Sequence, residues 1–202
     1  MLNFLNRLLA IKNWKIFVFA LAAGFLLVLG TSIYQHWQSQ LPHPIAALPS
    51  SAQKPPEIKL LAHDIGVSEQ LQPNAMPWLA ASHYAAVIDL RPDGEEPDQP
   101  GSAVMKQAAE ASRLTFHYVP VPHGVVPENA VAGLQAALAN SPRPVLLYCR
   151  SGRRAARAFS LVEASRVDGP SLDEIITAAS AAGQEVSDMK EALEARIAAR
   201  KG

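Results

Sequence analysis

Only one cysteine, Cys149, stands in the 202 residues. That count excludes an intramolecular disulfide framework and any structural zinc site built on several thiolates. An excess of either charge is missing too. Lys+Arg and Asp+Glu number 18 each, so there is no global basic field to draw in nucleic acid, and no nucleic-acid partner is expected. The histidines show no metal-ligand spacing such as H-E-x-x-H, so neither a metal nor another cofactor is expected. No internal repeat is present. The length suits one ordinary domain with an appendage, and hardly two full domains.

What the chain does have is a long apolar run. From Ile16 to Tyr34 it reads IFVFALAAGFLLVLGTSIY, with no charged residue. At about 1.5 Å per residue such a stretch crosses a hydrocarbon core about 30 Å thick. Arg7, Lys12 and Lys15 precede it, and no Lys or Arg follows until Lys54. The positive-inside rule then puts the N-terminus in the cytoplasm and the rest outside it, facing the periplasm if the source is bacterial. Residues 1–15 read as a cytoplasmic arm and residues 16–34 as a transmembrane signal-anchor, giving the protein a membrane partner. A cleaved signal peptide competes with this, although no A-x-A-like site follows closely; a buried core helix is the other alternative. Residues 35–58 contain Pro42, Pro44, Pro49, Pro55 and Pro56, the composition of an extended stalk.

Residues 59–202 read as the catalytic domain. Short apolar runs at 85–90 (AAVIDL), 115–121 (TFHYVPV) and 144–149 (PVLLYC) suit buried strands. Between them Pro73 to Ser82, Ser102 to Arg113 and Pro127 to Asn140 have helical spacing or Ala-rich composition. Ser171 with Glu174 matches a capping box, Gly183 can end that helix, and Ser187 can open a last one. The alternation predicts an α/β fold, a central sheet flanked by helices.

The chemistry concentrates in PVLLYCRSGRRAARAFSLVEA, a strand ending at Cys149, a tight turn through Gly152 and a helix starting near Arg153. Free amides at a helix start, together with the positive end of its dipole, make an anion site. Arg150, Ser151, Gly152, Arg153 and Arg154 are the expected anion binders, and the same field favours a thiolate on Cys149. An inert strand-end cysteine beside solvated arginines is the bland alternative. Against it, nucleophile, backbone cradle and cation occur together here.

The stretches DLRPDGEEPDQP (89–100), HYVPV (117–121) and PVLLYCRSGRRA (144–155) together resemble the phosphatase-like domain of beta-lactamase-hydrolase-like proteins, over about residues 58 to 195. Members of that family are also described as rhodanese-like sulfurtransferases, and in relatives the domain can be fused to a metal-dependent hydrolase domain. The resemblance implies a cysteine-dependent-phosphatase-like α/β fold with Cys149 as nucleophile and the loop from Arg150 to Arg154 as oxyanion binder. The loop departs from the C-x5-R of such phosphatases, since Ala155 stands where the arginine would fall and Arg154 comes one place early. The result is C-x4-R, a length that rhodanese-like loops resemble.

Phosphate monoester cleavage also needs an acid for the leaving oxygen, and Pro122-His123-Gly124 follows HYVPV where an Asp is first sought. Asp93, in a turn crowded by Glu95, Glu96 and Asp98, and His123 are the candidate acids or substrate contacts; a solvated charge run and a bystander histidine are their bland readings.

Two enzymatic expectations follow. In the first, Cys149 carries sulfane sulfur as a persulfide held by the loop and Arg154. In the second, Cys149 forms a phosphocysteine and the loop arginines clamp the phosphoryl oxygens. A third class is a membrane-tethered module that binds an anion or a partner without turnover. The expected partners are a small anionic or sulfur-containing substrate and a thiol acceptor or reducing partner, because a lone cysteine outside the cytoplasm is open to oxidation.

Overall fold

The computed structural model describes residues 55–200. The arm, the apolar run 16–34 and most of the stalk lie outside the described residues. Among the described residues no helix is long and apolar enough to cross a membrane.

Five strands form one sheet in the order β1-β2-β5-β3-β4. They are β1 (Lys59–Ala62), β2 (Ile65–Ser68), β3 (Ala86–Asp89), β4 (Thr115–Tyr118) and β5 (Val145–Tyr148). β1 pairs antiparallel to β2, and every other pairing is parallel. β5 takes the centre because it is apolar along its whole length: all four residues of VLLY are buried, as parallel strands covered on both faces require.

Side chains alternate across that strand. Val145, Leu147 and Cys149 enter one core cluster, and Leu146 and Tyr148 enter the other. The second cluster is closed by α1 (Met76–Ala81) and α2 (Ser102–Ala111) through Met76, Leu79, Met105 and Ala109. The larger cluster is closed by α3 (Glu128–Ala139), α4 (Arg153–Ser165), α5 (Leu172–Ala181) and α6 (Lys190–Ala199). The two-residue period of the strand therefore decides that the Cys149 thiol faces α4.

The strands and helices predicted from residue 59 onward appear, each within a few residues of its expected ends. The expected capping box forms: Glu174 N donates to Ser171 Oγ at 3.4 Å, and Ser171 N donates to Glu174 Oε2 at 2.8 Å. Gly183, with φ +69°, follows the end of α5, and a short 3-10 turn at Ser187–Met189 leads into α6. The sheet also contains β1 and β2, which were not anticipated. Each is four residues long, β1 is half exposed, and Gly66 interrupts the apolar pattern of β2. Gly66 is required by close approach, since a Cβ there would lie 2.7 Å from the Tyr84 hydroxyl.

Leu147 is fully buried in the central strand. Leu147→Ala is expected to lower the unfolding free energy by about 2–5 kcal/mol, read from the urea midpoint at unchanged slope. A loss under about 1 kcal/mol would mean that β5 is not the strand on which the core is assembled.

Candidate active site

The carboxyl ends of β2, β3, β4 and β5 all open onto one edge of the sheet, where ligands of parallel α/β folds bind. Cys149 immediately follows β5 at this edge and is 1% exposed. The chain then turns through Gly152, whose φ of +83° is left-handed, a conformation that favours glycine. α4 starts at Arg153. Its first amides have no partner within the helix and lie at the positive end of its dipole. Gln70 N donates to Arg150 O at 3.2 Å, tying this loop to the segment after β2.

Arg154 folds inward and is 8% exposed. It donates from Nη1 and Nη2 to the two Glu95 carboxylate oxygens at 2.5 and 2.8 Å, and from Nη1 to Val121 O at 2.8 Å. Cys149 lies within electrostatic reach. Burial pulls the Arg154 pKa down, but the Glu95 carboxylate and the neighbouring Cys149 outweigh it and hold the guanidinium above its ordinary value.

Glu95 also accepts from Arg91 Nε at 3.0 Å, and His123 Nε2 stands 3.5 Å from it. The hydrogen bonds from Arg154 lead in holding its carboxyl at about 2, below its usual range, against the opposing effect of desolvation. Glu95 is therefore ionised at any working pH. It links the loops after β3, β4 and β5 at one point.

The other expected residues divide. Asp93 is occupied elsewhere: Ser102 N donates to its Oδ1 at 2.7 Å and Ser102 Oγ to its Oδ2 at 2.6 Å, which ties it to the start of α2. The acidic turn that had a bland reading as solvated charge contains a half-hidden carboxylate at Glu95, 14% exposed. No local signal separates Glu95 from Glu96 or Asp98; only the position of Arg154 in space does. Arg150 is exposed and pairs with Glu96 at 3.3 Å. Arg153 is exposed and pairs with Asp188 at 3.8 Å. Ser151 is exposed, and His123 is 70% exposed on the loop after β4.

Below the loop, Asp89 is 1% exposed and accepts from Arg91 N at 2.9 Å. Burial is the main cause raising its pKa to about 6, against opposing contributions from Tyr148 and the Arg91 amide. The Tyr148 hydroxyl lies beside it but meets no partner with full hydrogen-bond geometry among the described residues. Burial first, and Asp89 second, push the Tyr148 pKa upward. Among the described residues no three His, Cys, Asp or Glu side chains gather as a metal site.

A buried cysteine at the end of a central parallel strand, followed by a glycine turn, a helix start and an inward arginine, defines a cysteine-dependent phosphatase-like α/β domain. The chain belongs to the family described as beta-lactamase hydrolase-like protein, phosphatase-like domain, whose model matches residues 57–166. A beta-lactamase hydrolase-like protein of Xylella fastidiosa (strain Temecula1) is 36% identical over 111 residues, 52% of this chain and 25% of that protein. The chain thus matches about a quarter of the length of that relative. A crystal structure called a candidate phosphatase, from Neisseria meningitidis, is 31% identical with a TM-score of 0.61, covering 69% of this chain and 97% of that one. The catalytic core of a PP-IP phosphatase from S. cerevisiae, solved with citrate, shares the fold at 15% identity and a TM-score of 0.53, covering 73% and 94%.

The Asp89 shift has a consequence for stability. Because its folded pKa is raised, its contribution is fully present below the unfolded value of 3.8 and is lost as the pH rises through about 6. Stability should fall by about 1–3 kcal/mol across that window. In Asp89→Asn the pH dependence of the urea midpoint in this range should flatten, and an unchanged slope would assign it to another group.

Proposed function

We propose that the domain hydrolyses a phosphate monoester through a phosphocysteine at Cys149. The observation that carries this reading is the placement of Arg154. Although the loop is one residue shorter than C-x5-R, the Arg154 side chain still reaches the region of the thiol and is fixed there by Glu95. The family and the Neisseria likeness support phosphoryl chemistry over sulfane transfer. The small anionic substrate is a phosphate ester.

In this mechanism the Cys149 sulfur attacks phosphorus and the bond from phosphorus to the ester oxygen breaks. Protonated His123 gives its proton to the leaving oxygen. A water then attacks the phosphocysteine, neutral His123 takes its proton, and inorganic phosphate leaves with the thiolate restored. Charge on the transferring oxygens is met by the loop amides and Arg154, which are already in place and need no reorganisation. Glu95 gives the imidazolium an anionic neighbour, while Asp93, bound to Ser102, takes no part.

The proposal also places the domain outside the cytoplasm, on the apolar run 16–34 and the Lys/Arg asymmetry around it. Protease added to intact spheroplasts should digest the domain; digestion only after lysis would place it inside.

Wild type should release phosphate from an aryl phosphate, Cys149→Ala should release none, and thiosulfate with cyanide should give no thiocyanate. Cys149-dependent thiocyanate without phosphate release would replace hydrolysis by sulfane transfer. Anion binding without either turnover would leave a binding module.

A separate test isolates the acid. His123→Ala should slow hydrolysis of phenyl phosphate, a poor leaving group, about 100-fold. It should slow nitrophenyl phosphate far less, because that leaving oxygen needs little protonation. Equal slowing of both esters would remove His123 from the acid role.

A further inference from the structure

The last two helices lie beyond the matched family segment, which ends at residue 166, yet the connection between them touches the cysteine loop. Ala182 and Val186 are fully buried in the larger core cluster. Gln184 N donates to Ala179 O at 2.9 Å, closing the turn after α5. So anchored, the connection presents two side chains to the loop. Gln184 Nε2 donates to Ser151 O at 3.3 Å. Asp188 takes two bonds from Arg157 Nη1, at 2.7 and 2.8 Å, and stands 3.8 Å from Arg153.

The Gln184 contact falls on the part of the loop that most needs support. The Ser151 carbonyl precedes the left-handed Gly152, and a Cβ on Gly152 would lie 2.8 Å from Gln184 Nε2 and 3.3 Å from Val67 Cγ2. The loop is thus packed between β2 and Gln184. It is also held by Glu95 through Arg154 and by the bond from Gln70 N to Arg150 O. Without Gln184, the Ser151 peptide would have no bond from this side to fix its plane. The direction of the neighbouring amides depends on that plane.

We propose that Gln184 is a positioning residue for the anion loop. Gln184 acts through the Ser151–Gly152 peptide and touches neither substrate nor Cys149. The inference rests on the proposed hydrolysis for its effect on turnover, but the loop geometry itself can be read without turnover. A small misplacement of oriented groups is enough to reduce rate strongly.

The test compares wild type with Gln184→Ala, Gln184→Glu and Gln184→Asn in the full chain. Cys149, the sole cysteine, is alkylated with anionic iodoacetate and with neutral iodoacetamide, and the ratio of the two rates reports the anion cradle. Gln184→Ala and Gln184→Glu, which remove the donor, should lower that ratio several-fold and lower kcat for the aryl phosphate about ten-fold, with the thermal midpoint unchanged. Gln184→Asn, which keeps a shorter donor, should recover part of both. An alkylation ratio equal in all four proteins, including equal inertness to both reagents, would overturn the proposal. A lowered ratio in a protein with no Cys149-dependent phosphate release would sustain the positioning role while removing the hydrolytic reading.

Discussion

A guanidinium ion cannot shed its charge when it is buried, so a chain that turns Arg154 inward must surround it with acceptors. Glu95 supplies two oxygens and Val121 supplies a carbonyl. These come from the loops after β3 and β4, while Arg154 itself follows β5. One charge therefore obliges three loops from three adjacent parallel strands to converge. Arg91, bound to Glu95 and to Gln70, extends the network to the segment after β2. The sheet order makes this geometrically available, since β5 lies between β2 and β3 with β4 next in line.

The convergence explains why local sequence exposed the candidate nucleophile and hid the support of its loop. Cys149 and Arg154 lie within one strand-turn-helix unit, and the apolar run, the glycine and the Ala-rich helix announce it without long-range information. Glu95 is separated from Arg154 by 59 positions, and it sits among acidic residues that look equivalent along the chain. Asp93 stands out in the same acidic turn, but its carboxylate is taken up by the Ser102 amide and hydroxyl at the start of α2. β1 and β2 escaped notice for another reason: four-residue strands with a glycine in one carry too little periodic signal. They exist because neighbours accept them, Ile65 to Ser68 pairing in register with Val145 to Tyr148. The start of α5 was legible because its cap, Ser171 with Glu174, acts within one turn.

Each arginine in the loop has a carboxylate near it, shared with Arg157 at Asp188 and with Arg91 at Glu95, and the pairs are of two kinds. Arg150 with Glu96 and Arg153 with Asp188 are solvent-exposed; pairs of that sort are weak and screened by salt. Arg154 with Glu95 is largely withdrawn from solvent and has bidentate geometry. An arriving anion can draw on the outer two at little expense, but parting Arg154 from Glu95 would strand a buried charge. The inner pair is therefore the fixed wall of the site and the outer pairs its adjustable rim.

That division bears on what the proposed reaction can recognise. With the chain at zero net charge there is no global field to gather anions. Selectivity then rests on short-range groups: amides at the start of α4, the helix dipole and the Arg154 guanidinium beside Cys149. Such groups reward a ligand by shape and by the placement of its oxygens. A single tetrahedral phosphoryl group over Cys149 fits that demand, with the exposed outer arginines at the rim to meet any further charge the ligand carries.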